Sequence, residues 1–248
     1  GTRFEIGFSE QKPSTDTVAL DVNNEPFRDS AGLLIFRPAG HGALLENLND
    51  LKADIVFIKN IDNVCCDRFK YDTILYKKVL CGYLITLERQ VNAFLERLDR
   101  CGFGDAFIEQ VIWFLKEKLS VEMSEEFFKK STGEKACLLF AKLHKPIRVC
   151  GMVKNESEPG GAPYWVEEIH GEASPQIVET SQIDPDSKDQ QAKILASTHF
   201  NPVDLVCSVL DFKGNPFNLL DFRDPRAVFV STKTKDGRTF KQLELPGL

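Results

Sequence analysis

The sequence has no long apolar run, no cysteines in metal-binding spacing and no excess of basic charge. No stretch approaches the roughly 18 apolar residues a membrane helix needs. The first residues also show no charged-then-apolar leader pattern, so a membrane is not an expected partner. Lys and Arg total 31 against 37 Asp and Glu, a net charge of -6. That argues against a broad basic face for nucleic acid and leaves room only for a local basic pocket of the kind that holds phosphates. The 7 cysteines are an odd number, Cys65 and Cys66 are adjacent, and no pair has Cys-x-x-Cys spacing. This pattern favours reduced thiols in a cytoplasm over a disulfide or zinc framework. No repeat period or low-complexity tract is visible. With 42% hydrophobic and 27% charged residues, the 248-residue chain has a globular composition and enough length for one large domain or two small ones.

Both ends of the chain read as alternating strands and helices, which predicts an α/β layered domain. Val18–Val22, Gly32–Phe36, Ile147–Val153, Gln176–Glu179 and Ala227–Ser231 have strand character, with a turn at Asn23–Pro26. Ile55–Ile61 is almost wholly apolar, as a buried central strand would be. Glu156–Pro163 has the composition of a loop, and Lys235–Arg238 that of a tight turn. Residues 43–51 and 188–196 carry helical patterns. Asn201-Pro202 resembles an N-cap with a proline at the first helical position, which predicts a helix over Val203–Leu210. Between residues 72 and 143 the texture is all-helical. Leu80, Leu84, Leu87, Val91, Phe94 and Leu98 recur at helical spacing, as do Phe107, Ile108, Val111, Ile112, Leu115 and Leu119. Ser124 before Glu125 and Glu126 has the form of an N-cap, and Ala136–Leu143 predicts a further helix. These stripes read as helix-packing faces. The expected organisation is a core of residues 1–71 and 144–248 with a helical insertion at 72–143.

Three segments carry chemistry-bearing residues. Gly40-His41-Gly42 lies between a strand and a helix. Glycines there either let the backbone approach a ligand that a Cβ would block or simply make a tight turn. Amides at the following helix start favour an acceptor group. Asn60-Ile61-Asp62-Asn63 ends the apolar strand, where ligands bind in open α/β sheets. Asp62 there offers a carboxylate to a divalent metal, or the segment is a turn whose Asp and Asn cap their own backbone. Gln11, in Phe8-Ser9-Glu10-Gln11, presents a donor and an acceptor together, suited to the edge of a base. Cys65 or Cys66 with His199 would supply the residue types of a thiol–imidazole pair, although spacing lends that reading no support.

In this order, Phe8–Gln11, Pro38–Leu44 and Asn60–Asn63 resemble the core of eukaryotic-type UDP-sugar pyrophosphorylases, in particular the UDP-N-acetylhexosamine branch of the GT-A-like nucleotidyltransferases. Cys150-Gly151-Met152-Val153, Val178–Ile183 and Thr198-His199-Phe200 resemble three further segments of that family. The wording of residues 8–17, 36–42 and 57–63 is closer still to a family of longer proteins, chiefly from Bacteroidetes, known only as a domain of unknown function. That likeness runs through nearly the whole chain.

The resemblance implies a GT-A-like fold, the nucleotide-diphospho-sugar transferase type, with a mixed sheet sandwiched by helices. This chain would then be its C-terminal half, with the N-terminal half missing and the fragment catalytically incompetent. It also implies a nucleotide or nucleotide-sugar ligand, Mg²⁺, and attack of a sugar 1-phosphate on the α-phosphate of a nucleoside triphosphate with release of pyrophosphate. Gln11, Gly40, His41 and Gly42 would then bind the nucleotide. Asp62 would be the catalytic residue and metal ligand, and Gly151, Glu179 and Thr198 would line the sugar. Gly1-Thr2-Arg3 mimics the family's phosphate loop but stands too close to Gln11 to serve as one. Thr180 and Thr198 replace a family tyrosine and asparagine. Lys233, Lys235 and Lys241 are the candidates for a late catalytic lysine, or are solvated charges. The alternative is a catalytically degenerate domain that binds a nucleotide-sugar or a protein.

Overall fold

A computed structural model describes residues 2–156, 160–167, 173–235 and 237–246. Part of the expected loop (157–159) and Asp236 of the expected turn lie outside the described residues. In chain order the elements are β1 (Thr17–Val18), β2 (Phe36–Arg37), α1 (Leu45–Asn49), β3 (Ile55–Lys59), α2 (Lys70–Arg100), α3 (Asp105–Leu119), α4 (Glu125–Phe128), α5 (Thr132–Leu143), β4 (Ile147–Cys150), β5 (Val153–Lys154), β6 (Ala162–Glu167), β7 (Ala173–Val178), α6 (Lys188–Ala196), β8 (His199–Phe200), β9 (Asp204–Ser208), β10 (Phe229–Lys235) and β11 (Arg238–Glu244). The fold is mixed α/β. Its described strands pair antiparallel in five small sheets, and none of the described helices is long and apolar enough to cross a membrane. By packing, the chain divides into two compact units, Ala53–Phe217 and a second made of Gly1–Lys52 with Asn218–Leu248.

In the unit Ala53–Phe217, α2 buries Leu84, Leu87, Val91, Leu95 and Leu98, and α3 buries Phe107, Ile108, Val111, Phe114 and Leu115. The helical stripes read from the sequence thus form the core. α5 adds Ala136, Leu139 and Leu143, and Ile147 and Val149 of β4 pack against the same cluster. The start of α5 is held by a reciprocal Ser131–Glu134 capping box. Ser124 sits at the N-cap of α4 without a side-chain cap bond.

Two elements of this unit differ from expectation. The predicted helix over Val203–Leu210 is the strand β9, the centre of the sheet β3–β9–β4. Asn201 Oδ1 accepts the Val203 N–H at 2.9 Å, but Val203 has φ +53°, and the β-branched, apolar run after it is extended. The Asn-Pro pair is therefore a local side-chain turn and not a helix start. Correspondingly, β3 is an edge strand instead of a central one. Its partner is β9, and Phe57 is 47% exposed. A continuous apolar run reports low polarity, but it does not count a strand's neighbours. The strand expected over 147–153 also breaks at Gly151, into β4 and β5.

The other unit is organised by the hairpin β10–β11, with the buried Phe27 and Phe240 rings 5.5 Å apart beside Ala19. The expected strands at 18–22 and 32–36 are short here, each reduced to two paired residues and isolated bridges. Each expected strand is interrupted where an Asp side chain closes a turn instead. Asp21 Oδ1 accepts the N–H groups of Asn23 and Glu25, and Asp29 Oδ1 those of Ala31 and Leu33. Asp211 does the same for Lys213 and Asn215 in the other unit. A repeat does therefore exist. Leu20-Asp21 to Pro26-Phe27 and Leu210-Asp211 to Pro216-Phe217 share the pattern Leu-Asp-x-x-x-x-Pro-Phe, and in both the leucine bridges the proline.

Candidate functional site

Four of the sequence-predicted residues, Asp62, Gly151, Glu179 and Thr198, fall in the unit Ala53–Phe217, where the segment 198–204 is a centre of hydrogen bonding. The end of β3 is tied to it twice. The Asn60 N–H donates to the Val203 carbonyl at 3.2 Å, and Asn63 Nδ2 donates to the Pro202 carbonyl. Buried Asn201 donates through Nδ2 to the Gly151 carbonyl at 2.7 Å, while the Gly151 N–H donates to the Asp204 carbonyl at 2.8 Å. The Asn201 N–H reaches the Gly161 carbonyl at 2.8 Å. A Cβ on Gly161 would stand 3.2 Å from Glu179 Oε1. Thr198 closes the ring, its carbonyl accepting the Asn155 N–H at 3.0 Å.

The charges here come from residues the sequence reading passed over. Asp204 accepts from Lys59 Nζ at 2.9 Å and from Lys77 Nζ at 2.7 Å, linking β3, β9 and α2. Burial alone would raise the Asp204 pKa, but the hydrogen bonds from Lys59 and Lys77 outweigh it and hold the carboxyl below its ordinary range. With two cations on one carboxylate, the cluster carries a net positive charge. Val203 is its strained member, since a β-branched residue rarely adopts positive φ. A hydrophilic cluster after an apolar run was the only available signal, and Lys77 lay concealed within a helix pattern.

Asp62 is exposed, in a turn where Asn60 Nδ2 donates to Asp62 Oδ2 at 3.2 Å and Asn60 Oδ1 accepts the Asp62 N–H at 3.5 Å. Asn60 thus caps the turn. Glu179 and Gln182 form a reciprocal cap around the turn after β7. The Thr198 hydroxyl lies 2.8 Å from His199 Nδ1. Cys65 Sγ lies 4.0 Å from the Thr73 hydroxyl, and no contact of Cys65 or Cys66 with His199 occurs among the described residues. Burial pushes the Cys207 thiol up to about 11.

Gln11, Gly40, His41 and Gly42 belong to the other unit. Gln11 Nε2 donates to Thr15 Oγ1 at 3.0 Å and to Asp16 Oδ1 at 3.2 Å. Gly40 has φ +74°, and a Cβ there would strike the carboxylate of Glu244. At buried Gly42 a Cβ would strike the carbonyls of Leu245 and Pro246. The chain's own β11 end therefore occupies the space these glycines leave open. Glu244 is 5% exposed, with Oε1 accepting from Ser231 Oγ at 2.5 Å and from Gln242 Nε2 at 3.3 Å. His41 is exposed. Lys233 Nζ stands 3.7 Å from Glu244 Oε1, and Lys241 Nζ donates to Asn24 Oδ1 at 2.8 Å. The side chain of Lys235 lies outside the described residues.

Among the described residues, no group of three His, Cys, Asp or Glu side chains converges as a metal site would require. Asp62 offers a single exposed carboxylate at the end of β3, and Asp204 is already taken by its lysines. The residues fit Mg²⁺ only where a ligand's phosphates complete its shell.

A family profile described as "Domain of unknown function (DUF4301)" matches residues 1–248. The chain belongs to the DUF4301 family. No curated protein and no solved structure matches it.

Proposed function

We propose that this DUF4301 chain is a nucleotidyltransferase-like domain that binds a nucleotide or nucleotide-sugar on a GT-A-like architecture, in the manner of UDP-sugar pyrophosphorylases. The observation that carries the reading is the attachment of Gly151 and of the turn that carries Asp62 to the segment 198–204, beside a net-positive Lys59–Asp204–Lys77 cluster. Ligand phosphates would meet a cation there. Asp62 would hold Mg²⁺, which supplies charge neutralisation of the phosphates when bound. For Gln11, Gly40, His41 and Gly42, which belong to the other unit, a nucleotide-binding role rests on the family resemblance alone.

A thermal-shift titration of the chain with UTP and UDP-sugars in Mg²⁺ tests this, alongside Asp62→Ala. The expected result is a rise in melting temperature with one uridine ligand, weakened in the variant. No shift at millimolar ligand would refute binding. A second reading, a degenerate domain without turnover, is favoured by the filling of the Gly40–Gly42 loop by Glu244, Leu245 and Pro246. Ligand binding without pyrophosphate release would select it.

A further inference from the structure

The helix α2 is buried along one stripe and bare along another. Its buried residues begin at Leu84, and no residue from Lys70 to Tyr83 is buried. Ile74, Lys77, Lys78, Cys81, Gly82 and Ile85 recur at spacings of three and four, on a stripe about 100° around the helix from the buried one. With Phe57 of β3 they line an open groove of about 460 Å³. Ile74 is 50% exposed and Phe57 nearly as much, so apolar surface that would ordinarily be covered faces water.

We propose that this groove docks an amphipathic α-helix of another protein, one whose apolar stripe is flanked by carboxylates. Shape and charge each support this occupant. The lining residues span roughly 16 Å along the axis of α2, about three helical turns. Gly82 leaves the floor low, and a Cβ built on it meets nothing within 4 Å, so a second helix can approach closely. Charge specifies the sign of the partner. Lys77 Nζ lies at the rim, 5.4 Å from the Phe57 ring centroid, and shares Asp204 with Lys59, so that the trio keeps one net positive charge. Lys78 is exposed, with no ion pair among the described residues. A second copy of this chain fits poorly, because antiparallel α2 helices related by a two-fold near residue 80 would bring Lys78 of each close to that of the other. Charge far from the groove is screened beyond about 8 Å, so the rim lysines decide. This inference does not depend on the nucleotide reading.

Two labelled synthetic peptides of one helical sequence test it, a Leu/Ile stripe flanked by Glu in the first and by Lys in the second, titrated by fluorescence anisotropy. The Glu peptide is expected to bind the chain at least about tenfold more tightly than the Lys peptide, and Lys78→Glu to narrow or reverse that ratio. Gly82→Leu fills the groove at an open helical position, so it should abolish binding with an unchanged melting temperature. Equal binding of both peptides, no binding of either, or Glu-peptide binding indifferent to Gly82→Leu would overturn the proposal. So would sedimentation that finds a dimer which Gly82→Leu dissociates, because the occupant would then be a second copy.

Discussion

The loop Gly40–Gly42 and the segment 198–204 both hold sequence-predicted site residues, yet they are built on opposite principles. At the loop, glycines make room for the chain itself. Glu244, Leu245 and Pro246 stand where side chains would be, and Gln11 is bonded to Thr15 and Asp16. Around the segment, hydrogen bonds hold Gly151 and the turn that carries Asp62, and leave a charged, partly exposed cluster. A glycine pair thus reports close approach without saying of what, whereas partly exposed charge beside a strained residue is an arrangement that packing alone does not require.

The largest test of this contrast is Gly42→Ala. Its methyl group meets two backbone carbonyls that cannot swing aside, so a loss of about 3 kcal/mol is expected in urea unfolding. Gly40→Ala meets a carboxylate oxygen of Glu244 at the end of a side chain and must hold φ +74° with ψ -164°, a region open essentially only to glycine, so a loss of about 1–3 kcal/mol is expected. A tolerated Gly42→Ala would break the contrast, since the loop would not be gripped by its own chain.

Asp204→Asn sharpens it from the other side. Removing the carboxylate leaves Lys59 and Lys77 half-buried without their counter-charge, a loss of about 2 kcal/mol at neutral pH. The pH dependence has a definite sign. Because the folded Asp204 pKa lies below 3.8, its stabilisation is fully present above that value and is lost as the pH falls through the lowered one. Unfolding curves measured at neutral pH and well below pH 3.8 should therefore show the gap between the wild type and the variant closing in acid. A constant gap would show that the pair contributes nothing specific.

The smallest effect is expected at Val203→Asn. Asparagine tolerates positive φ where valine does not, so the variant should gain up to about 1 kcal/mol. If the strain serves ligand binding, the same variant weakens the nucleotide-induced thermal shift while raising the melting temperature. Stabilisation with undiminished ligand response would make the strain incidental.

Helical periodicity was the most legible feature of the sequence. The faces of α2 and α3 are their stripes, and α6 spans the expected residues. Turn chemistry was only half legible. The repeated Leu-Asp-x-x-x-x-Pro-Phe segment has no period and so escaped notice, although Asp21 and Asp211 close the same turn. Helix and strand were confused at Val203–Leu210, because Asn-Pro serves a helix start and a side-chain turn equally well. Of the candidate site, Asp62 could be read from its place at the end of an apolar strand, and Gly151 only through the family resemblance. Lys59, Lys77 and Asp204 could not, since they come from three elements far apart in the chain.

Local order by itself determined the helices, the Asp-closed turns and the positive φ that favours glycine at position 40, because each follows from dihedral preference or from contacts within a few residues. Only the tertiary structure decided that β9 is the centre of its sheet and β3 an edge, that β11 fills the glycine loop, and that one carboxylate holds two lysines. Strand neighbours, the occupant of a gap and the partner of a charge are all properties of distant segments, and no local pattern encodes them.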